Sequence, residues 1–428
     1  MAEWKELRCA RMGECCYYLK HASGLPIYVW PKRDYTTAYA VFATKYGAID
    51  TACLADGNTV VLPAGIAHYL EHKLFENEDC DAFERYAETG ANANAFTSFD
   101  QTAYLFSCTQ NVTASLEILL DFVQKPYFTE QTVEKERGII GQEIRMGEDS
   151  PFRCVFINLL AALYREHPVH TDIAGTVESI AEITPELLYQ CYNTYYNLHN
   201  MVLAVTGNIT CEQVEEVADR LLRTCEPNVP TRPPVNEPCE AATPCVEVSM
   251  PVAVPLFYLG YKAPLDTSKG LFGETPSALA AAEVLEELLG GKSSALYASL
   301  MEQELINTSF DVEYFNGPGY GVWIIGGESR DPEAVATAVR SEVARLQREG
   351  IREADFIAAR NAVYGQMIAQ LDNPEACGDL LVDAHLDGYG PFEPLEAVAA
   401  LTVEDVMRRL MMDFDEQASS LSIVNPLS

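Results

Sequence analysis

Basic residues are scarce in this sequence. Among its 428 residues, 29 Lys and Arg stand against 63 Asp and Glu, which gives a formal net charge of -34. Nucleic acids and anionic membranes attract positive charge, so this balance argues against both as partners and favours cationic or neutral ones. The sequence also lacks a run of about 18 apolar residues that could cross a membrane, and its charged beginning has no apolar signal-peptide core. We therefore expect no nucleic-acid partner, no membrane partner and a cytoplasmic location.

Two kinds of motif are also missing. The 13 cysteines include no CxxC spacing, so we expect reduced, mostly buried thiols and neither disulfides nor thiolate metal ligands. The sequence contains no GxGxxG and no GxxxxGK(S/T), which leaves a nucleotide-binding site without support.

The length of the chain exceeds that of a single hydrophobic core, so two or more domains are expected. Between residues 223 and 244, six prolines and little periodicity remove backbone donors and block regular structure. We predict a linker over 223–244 that separates an N-terminal domain, 1–222, from a C-terminal domain, 245–428. The two halves share a repeat, because the stretch from Val177 is echoed by the stretch from Leu395, and each predicts an acidic helix followed by a strand.

Strand and helix patterns are mixed within both halves. Alternating and β-branched runs at 37–48, 101–108 and 255–263 predict strands, and long helical periods occur around 130–147 and 353–371. Hairpin-like strand pairs beside clustered helices indicate α+β domains and not alternating βαβ winding. The predicted fold is two homologous α/β-sandwich-like halves, each with a mostly antiparallel sheet and packed helices.

The segment GIAHYLEHKLFE, residues 65–76, places two of the chain's seven histidines four residues apart, with a glutamate before the second. Pro63 precedes it, near the expected helix start. On a helix, His68 and His72 lie one turn apart on one face, so both imidazoles can reach the same ion. Imidazole suits zinc, and a catalytic zinc site has three protein ligands and an open position. Glu71 would then be the general base acting on zinc-bound water. The alternative is an amphipathic helix with two histidines in its polar stripe.

A third ligand has to come from elsewhere, and the best donors lie in VEKERGIIGQEIRMGEDSP. Glu136 and Glu143 are seven residues apart, which is about two helical turns, so they share a face. One could bind the metal while the other orients a histidine or supports the first ligand. The alternative is a solvated acidic face of a surface helix.

Together these residues resemble a known family. HxxEH is the inverted zincin motif, and GIAHYLEHKLF followed by ERGIIGQE resembles the pitrilysin/insulinase metallopeptidases, whose members include the mitochondrial processing peptidase. The resemblance implies that His68, His72 and Glu143 bind zinc, that Glu71 is catalytic and that Glu136 supports the site. It covers nearly the whole chain, including the repeat, and the length is similar to that of the short bacterial subunits.

The stretch ANANAFTSFDQTAY resembles the strand with which this family binds substrate, with Asn94, Ala95 and Thr97 before Tyr104. The resemblance implies that an extended peptide pairs with this edge strand through main-chain hydrogen bonds. The alternatives are an ordinary turn residue for Asn94 and a core aromatic for Tyr104. The runs TKYGAID and AFTSFDQTAYLFS also look like insulinase-like proteins of Gram-positive bacteria that are associated with the 5-aminopentanol modification of elongation factor P. That association concerns a pathway, and no residue here shows it.

One stretch departs from the family pattern. The family's second half usually carries L-R-E-x-x-x-L-A-Y, whose Arg and Tyr reach the substrate at the zinc, whereas here Met301 and Thr308 stand at those places in SSALYASLMEQELINTSFD. Neither donates a charged hydrogen bond to a tetrahedral oxyanion. Either zinc alone polarises the carbonyl, or a partner subunit supplies the pair. Because the family's small subunits pair into clam-like chambers, we expect a dimer, preferentially with a paralogue that has the Arg and Tyr and lacks the zinc motif.

The expected activity is that of a zinc metalloendopeptidase with one Zn²⁺ per chain, which hydrolyses extended peptides or unfolded segments within such a chamber. The second half has no HxxEH and is expected to be non-catalytic. One alternative function is a non-catalytic or processing-complex subunit, against which the intact HxxEH argues. Another is a zinc-dependent hydrolase of a modified side-chain amide, which would use the same chemistry.

Overall fold

A computed structural model of the chain describes residues 3–55, 58–264 and 274–427. Within these residues the strands are β1 (Lys5–Cys9), β2 (Glu14–Lys20), β3 (Pro26–Pro31), β4 (Ala38–Thr44), β5 (Ala52–Ala55), β6 (Asn58–Val61), β7 (Asn92–Thr97), β8 (Thr102–Cys108), β9 (Met201–Gly207), β10 (Cys245–Met250), β11 (Leu256–Lys262), β12 (Asp311–Gly317), β13 (Tyr320–Glu328) and β14 (Ser419–Pro426).

The α-helices of the same residues are α1 (Ile66–Phe75), α2 (Ala82–Thr89), α3 (Val112–Phe122), α4 (Glu130–Glu148), α5 (Pro151–Leu163), α6 (Val177–Ala181), α7 (Pro185–Tyr195), α8 (Cys211–Leu221), α9 (Pro276–Gly290), α10 (Ala295–Glu302), α11 (Pro332–Glu349), α12 (Glu353–Gln370), α13 (Pro374–Asp387), α14 (Glu393–Ala400) and α15 (Val403–Asp413). None of these described helices is both long and apolar enough to cross a membrane.

The strands form two large sheets and one small one. The first has the order β1-β2-β3-β9-β4-β8-β7, the second has the order β10-β14-β11-β13-β12, and β5 pairs with β6 alone. Each large sheet contains one parallel pair, β3 with β9 and β10 with β14, and its other pairs are antiparallel. The predicted fold class, two halves with mostly antiparallel sheets and packed helices, is therefore confirmed.

Contacts divide the chain into two compact units. Unit 1 contains residues 1–144, 172–233 and 369–392, and unit 2 contains residues 145–171, 234–368 and 393–428. Each unit thus includes a segment from the other half of the sequence: α13 packs on β4 and β9 in unit 1, and α5 packs on β11 and β14 in unit 2. The sequence boundaries at 222 and 245 do not mark these exchanges, and the division into 1–222, 223–244 and 245–428 stays a prediction.

Two layers of side chains build unit 1. One face of its sheet carries Phe42, Tyr104 and Phe106 into an apolar core beneath the helices. The other face lies against α13 so closely that a Cβ on Gly378 would be 2.6 Å from the ring of Tyr39. Glycine at this position therefore permits the helix to approach the strand.

The internal repeat is visible in both units, with one correction. Each copy was expected to contain a single helix before its strand, but the structure has two: α6 and α7 before β9, and α14 and α15 before β14. The break falls where Thr184 and Thr402 cap the second helix, because each threonine side chain accepts a hydrogen bond from the backbone N–H three residues later. The apolar periodicity of the sequence continues through the break, so the sequence pattern alone did not predict two helices.

Candidate zinc centre

Helix α1 supplies three polar side chains to one region of unit 1. It begins at Ile66, three residues after Pro63, and its N-cap is Gly65 in a left-handed conformation with φ of 88°. A Cβ on Gly65 would lie 2.3 Å from the backbone oxygen of Ala174, so the start of the helix depends on glycine for both its φ and its close contact. The expectation that the helix begins near Pro63 was three residues early.

His68 and His72 meet Glu143, which lies on α4. Nε2 of His68 is 3.5 Å from Oε1 of Glu143, and Nε2 of His72 is 3.5 Å from Oε2 of Glu143. One possible ligand atom from each of the three residues lies within 4.8 Å of the other two. Ligands of a tetrahedral zinc, each about 2.0–2.1 Å from the ion, are separated from one another by about 3.3–3.4 Å. The spacing of the three side chains therefore fits one zinc ion.

Glu136 contacts the other side of one imidazole. Its Oε1 lies 3.0 Å from Nδ1 of His72, so a proton on Nδ1 can be donated to the carboxylate while Nε2 keeps a lone pair toward Glu143. This is the arrangement that orients histidine ligands in metal sites. Burial lowers the pKa of His72, but the hydrogen bond to Glu136 and the charges of Glu71, Glu136 and Glu143 outweigh it and raise the pKa above its ordinary value.

His68 has a different environment. Its Nδ1 is buried and makes no hydrogen bond to any residue that the structure describes. The ring lies 4.6 Å from the ring of His72, measured between centroids, in an edge-on arrangement. The ring of His72 and the contact of Nε2 with Glu143 therefore position this imidazole, and Nδ1 takes no part among the described residues.

Glu71 is more deeply buried than the two histidines, and 8 % of it is exposed. Its Oε2 accepts a hydrogen bond of 2.6 Å from the hydroxyl of Thr97, at the end of β7. Burial raises the pKa of the Glu71 carboxyl, and the hydrogen bond from Thr97 with the nearby His68 and His72 partly opposes this rise. A carboxyl beside two histidines, with a raised pKa and a fixed oxygen, is suited to proton transfer.

A second contact between α1 and α4 was not predicted from the sequence. Lys73, next to His72, is fully buried and forms an ion pair with Glu76, whose other oxygen lies 3.6 Å from Nζ of Lys135 on α4. The C-terminal end of α1 is thus linked by charge to the second turn of α4. The i,i+3 spacing of Lys73 and Glu76 was the available signal, but it does not reveal that Lys73 is buried.

The residues that were predicted to bind substrate separate into two environments. Asn94 is exposed and Ala95 half-buried on β7, the last strand of its sheet, which pairs with β8 alone among the described strands. The N–H of Ala95 donates to Oδ1 of Asn94 at 2.9 Å. Tyr104 is fully buried, and its hydroxyl lies 2.8 Å from that of Tyr196. The edge strand is therefore accessible, whereas Tyr104 lies in the core beneath it.

Met301 and Thr308 both lie in unit 2. Met301 is at the end of α10, 37 % exposed, and Thr308 is exposed in the segment between α10 and β12.

Helix α9 of unit 2 can be aligned with α1 by matching their C-caps, Gly291 and Glu76. In this alignment, three glutamates of α9 stand opposite the candidate zinc-site residues of α1. They are Glu283, Glu286 and Glu287 in place of His68, Glu71 and His72. Glu286 accepts a hydrogen bond from the backbone N–H of Tyr314 on the edge strand β12, so in unit 2 this carboxylate serves a structural contact.

Comparison with known proteins places this chain in a family. Residues 62–177, which contain all five zinc-site residues, match the family model described as insulinase, peptidase family M16, and residues 182–363 match the model described as the peptidase M16 inactive domain. An uncharacterized zinc protease of Bacillus subtilis, YmfH, is 39 % identical over 432 aligned residues, 99 % of this chain and 100 % of that one. The chain belongs to peptidase family M16.

Other known proteins are similar to this chain in sequence or in fold. A crystal structure of an M16-like peptidase from Alicyclobacillus acidocaldarius has a TM-score of 0.88 and 32 % identity, covering 100 % of this chain and 99 % of that one. A Helicobacter pylori protease of 20 % identity shares the fold with a TM-score of 0.83 over the full length of both chains. An Arabidopsis thaliana chain that bears the name of a mitochondrial-processing peptidase subunit beta is 24 % identical over 392 residues, 85 % of this chain and 71 % of that one. The resemblance to the insulinase family is thereby confirmed.

Proposed function

We propose that this chain is a zinc-dependent endopeptidase that acts on extended peptides or unfolded segments, with one Zn²⁺ held by His68, His72 and Glu143. The observation that carries the proposal is the meeting of these three donors beside the buried carboxyl of Glu71. A relative of similar length that is named a zinc protease supports the choice of metal. Glu136 would support His72 through its Nδ1.

The reaction would depend on Glu71 as the general base. Zinc, when bound at such a site, polarises a scissile carbonyl and lowers the pKa of water. Glu71 takes a proton from the attacking water and returns it to the leaving amine. Its burial and its single Thr97 contact hold the carboxyl ready for both transfers.

Strand β7 would bind the substrate. It is the last strand of its sheet, and an extended peptide that pairs with it gains main-chain hydrogen bonds without a requirement for particular side chains. The Ala95 N–H now donates to Oδ1 of Asn94 at 2.9 Å. A carbonyl of the bound peptide would replace Asn94 as the acceptor of this hydrogen bond. Asn94, Ala95 and Thr97 would thus border the peptide, and Tyr104 would support β8 from below.

The central test is the substitution Glu71→Gln. We expect it to keep bound zinc, because no metal donor is removed, and to lower kcat for peptide hydrolysis by about 100- to 10,000-fold, the usual contribution of general acid–base catalysis. The exposed Glu88→Gln on α2 makes the same chemical change away from the site and should leave kcat unaltered. Zinc content by mass spectrometry and cleavage of a peptide library give the two readouts. Equal cleavage by wild type and Glu71→Gln would refute the proposed role.

We further propose that full activity requires a paralogous partner, within a chamber formed by the two chains. The reason is that Met301 and Thr308 cannot supply the Arg and Tyr of related chains, and one relative is itself named as a subunit of a processing peptidase. The test compares the purified chain alone with the chain mixed with a paralogue that has the Arg and Tyr, by light scattering and by kcat/KM. Full peptidase activity in the isolated monomer would contradict the proposal.

Three finer points stay predictions. Hydrolysis of a modified side-chain amide would use the same residues, and profiling of peptide and amide substrates separates the two activities. The cytoplasmic location and the association with elongation factor P modification are the other two.

A further inference from the structure

Thr97 lies at the junction between the edge strand and the base. It is the last residue of β7 and is paired with Thr102 of β8. The side chain is directed toward α1, where its hydroxyl donates to Oε2 of Glu71 at 2.6 Å. Thr97 was predicted to bind substrate, but its side chain hydrogen-bonds directly to Glu71, the proposed general base.

The number of hydroxyl protons limits what Thr97 can do. Each threonine hydroxyl has one proton to donate. Thr102 donates its proton to the backbone oxygen of Tyr46 at 2.8 Å, and its oxygen lies 3.4 Å from that of Thr97. Thr97 gives its proton to Glu71, so while this bond exists it has no proton left for a peptide carbonyl.

The hydrogen bond is compatible with both forms of the base. An ionised carboxylate accepts at either oxygen, and a carboxylic acid still accepts at its carbonyl oxygen. With Oε2 held by Thr97, the transferred proton resides on Oε1. The bond can therefore persist while Glu71 gains and loses its proton. Threonine is β-branched and stiff about χ1, which keeps the donor in one direction.

We propose that Thr97 is a positioning residue that fixes the Glu71 carboxylate and reserves Oε1 for proton transfer. This inference rests on the proposed function. It differs from the substrate-binding role that the family resemblance implies for Thr97, because the hydroxyl acts on the base and not on the peptide.

The test compares three variants at Thr97 and one control variant. Thr97→Val removes the donor and keeps the branched shape, Thr97→Ser keeps the donor, and Thr59→Val makes the same change at an exposed position on β6. We expect Thr97→Val to lower kcat by about 10- to 100-fold, the usual effect of a misplaced catalytic group, with KM within about two-fold and zinc content unaltered. Thr97→Ser should restore most of kcat, and Thr59→Val should match wild type. Thr97→Ala, a second variant without the hydroxyl, is measured beside Thr97→Val in case the latter does not fold.

Several outcomes would overturn the proposal. A raised KM with unchanged kcat in Thr97→Val would assign Thr97 to substrate binding. Loss of zinc would show a role in the metal site itself, and an equal fall in Thr97→Ser would show that shape and not the hydroxyl matters. A crystal structure of Thr97→Val gives a readout that is independent of activity, since we expect the Glu71 carboxylate to leave its wild-type position. If wild type cleaves no peptide, the proposed function fails, and an unmoved Glu71 in that structure would separately refute the role of Thr97.

Discussion

In the proposed zinc site, Glu136 would act through an imidazole and not through the ion. Its carboxylate lies 3.0 Å from Nδ1 of His72, and 12 % of its side chain is exposed. A carboxylate there selects the tautomer whose Nε2 lone pair is directed to the metal and makes that nitrogen more basic. Loss of the Glu136 carboxylate should therefore weaken metal binding, although all three proposed ligands remain.

We predict that Glu136→Ala weakens zinc binding by about 10- to 100-fold, the usual cost of losing such a partner. The exposed Glu148→Ala on the same helix removes a carboxylate that has no contact with His72 and should leave the affinity unaltered. Competition with a chromogenic chelator measures both dissociation constants. Equal affinities in Glu136→Ala and wild type would contradict the role assigned to Glu136.

The sequence predicted both glutamates of α4 but not their separate contacts. Seven-residue spacing puts Glu136 and Glu143 on one face, and either could then have met the histidines. The distinction depends on how far α4 is shifted along α1, which is set by tertiary packing such as the contact of Glu76 with Lys135. Only the family resemblance assigned the roles before the structure was known. The hydrogen bond of Thr97 to Glu71 had no sequence signal, because the residues are 26 apart and meet through the packing of α1 against β7.

At the scale of elements, the start of α1 depends on a single backbone position. Gly65 has a positive φ, and its Cα lies close to the backbone of Ala174. In turn, a Cβ on Gly175 would lie 2.4 Å from the backbone oxygen of Ala64. The two segments therefore pack backbone against backbone, immediately before the helix that carries His68 and His72.

We predict that Gly65→Ala destabilises unit 1, because a left-handed conformation costs a non-glycine residue about 1–2 kcal/mol and the new methyl group would overlap Ala174. Gly138→Ala is the matched control: Gly138 lies within α4 with open space at its Cβ, and alanine there should stabilise the helix by about 0.5–1 kcal/mol. Thermal unfolding followed by circular dichroism gives the midpoints. Opposite shifts are expected, and a midpoint of Gly65→Ala at or above that of wild type would be inconsistent with the strained contact.

At the scale of the whole molecule, the sequence did not predict which segments belong to each of the two units. The helices α5 and α13 have apolar faces that predict burial, but an apolar face does not specify which sheet it covers. The Pro-rich stretch at 223–244 indicated one boundary, whereas the structure exchanges helices between the halves. Strand pairing was easier to anticipate, because hairpin-like runs such as β7 and β8 are adjacent in sequence.

We expect a half-buried acid, Glu283 on α9, to make the stability of unit 2 depend on pH. Burial raises the pKa of Glu283 to about 7, whereas an unfolded chain has a Glu pKa of about 4.3. The folded state thus holds a proton that the unfolded state releases, so stability is lost as pH rises through this window.

We predict that Glu283→Gln raises the unfolding midpoint at pH 8 by a few degrees, since about 1.4 kcal/mol corresponds to one pKa unit. At pH 5 the substitution should leave the midpoint nearly unaltered. The exposed Glu302→Gln should show no such difference. Calorimetry between pH 5 and 8 checks this, and parallel curves for wild type and Glu283→Gln would exclude the effect.

The exchange of helices also sets an order for biosynthesis. The strands β4 and β9 are translated before residue 210, but α13, which covers their second face, ends at Asp387. A nascent chain that folds from its N-terminus therefore presents an uncovered apolar sheet face, including Tyr39, until most of unit 2 has left the ribosome. Completion of unit 1 is therefore a late event in synthesis, although the proposed zinc ligands all lie within the first 143 residues.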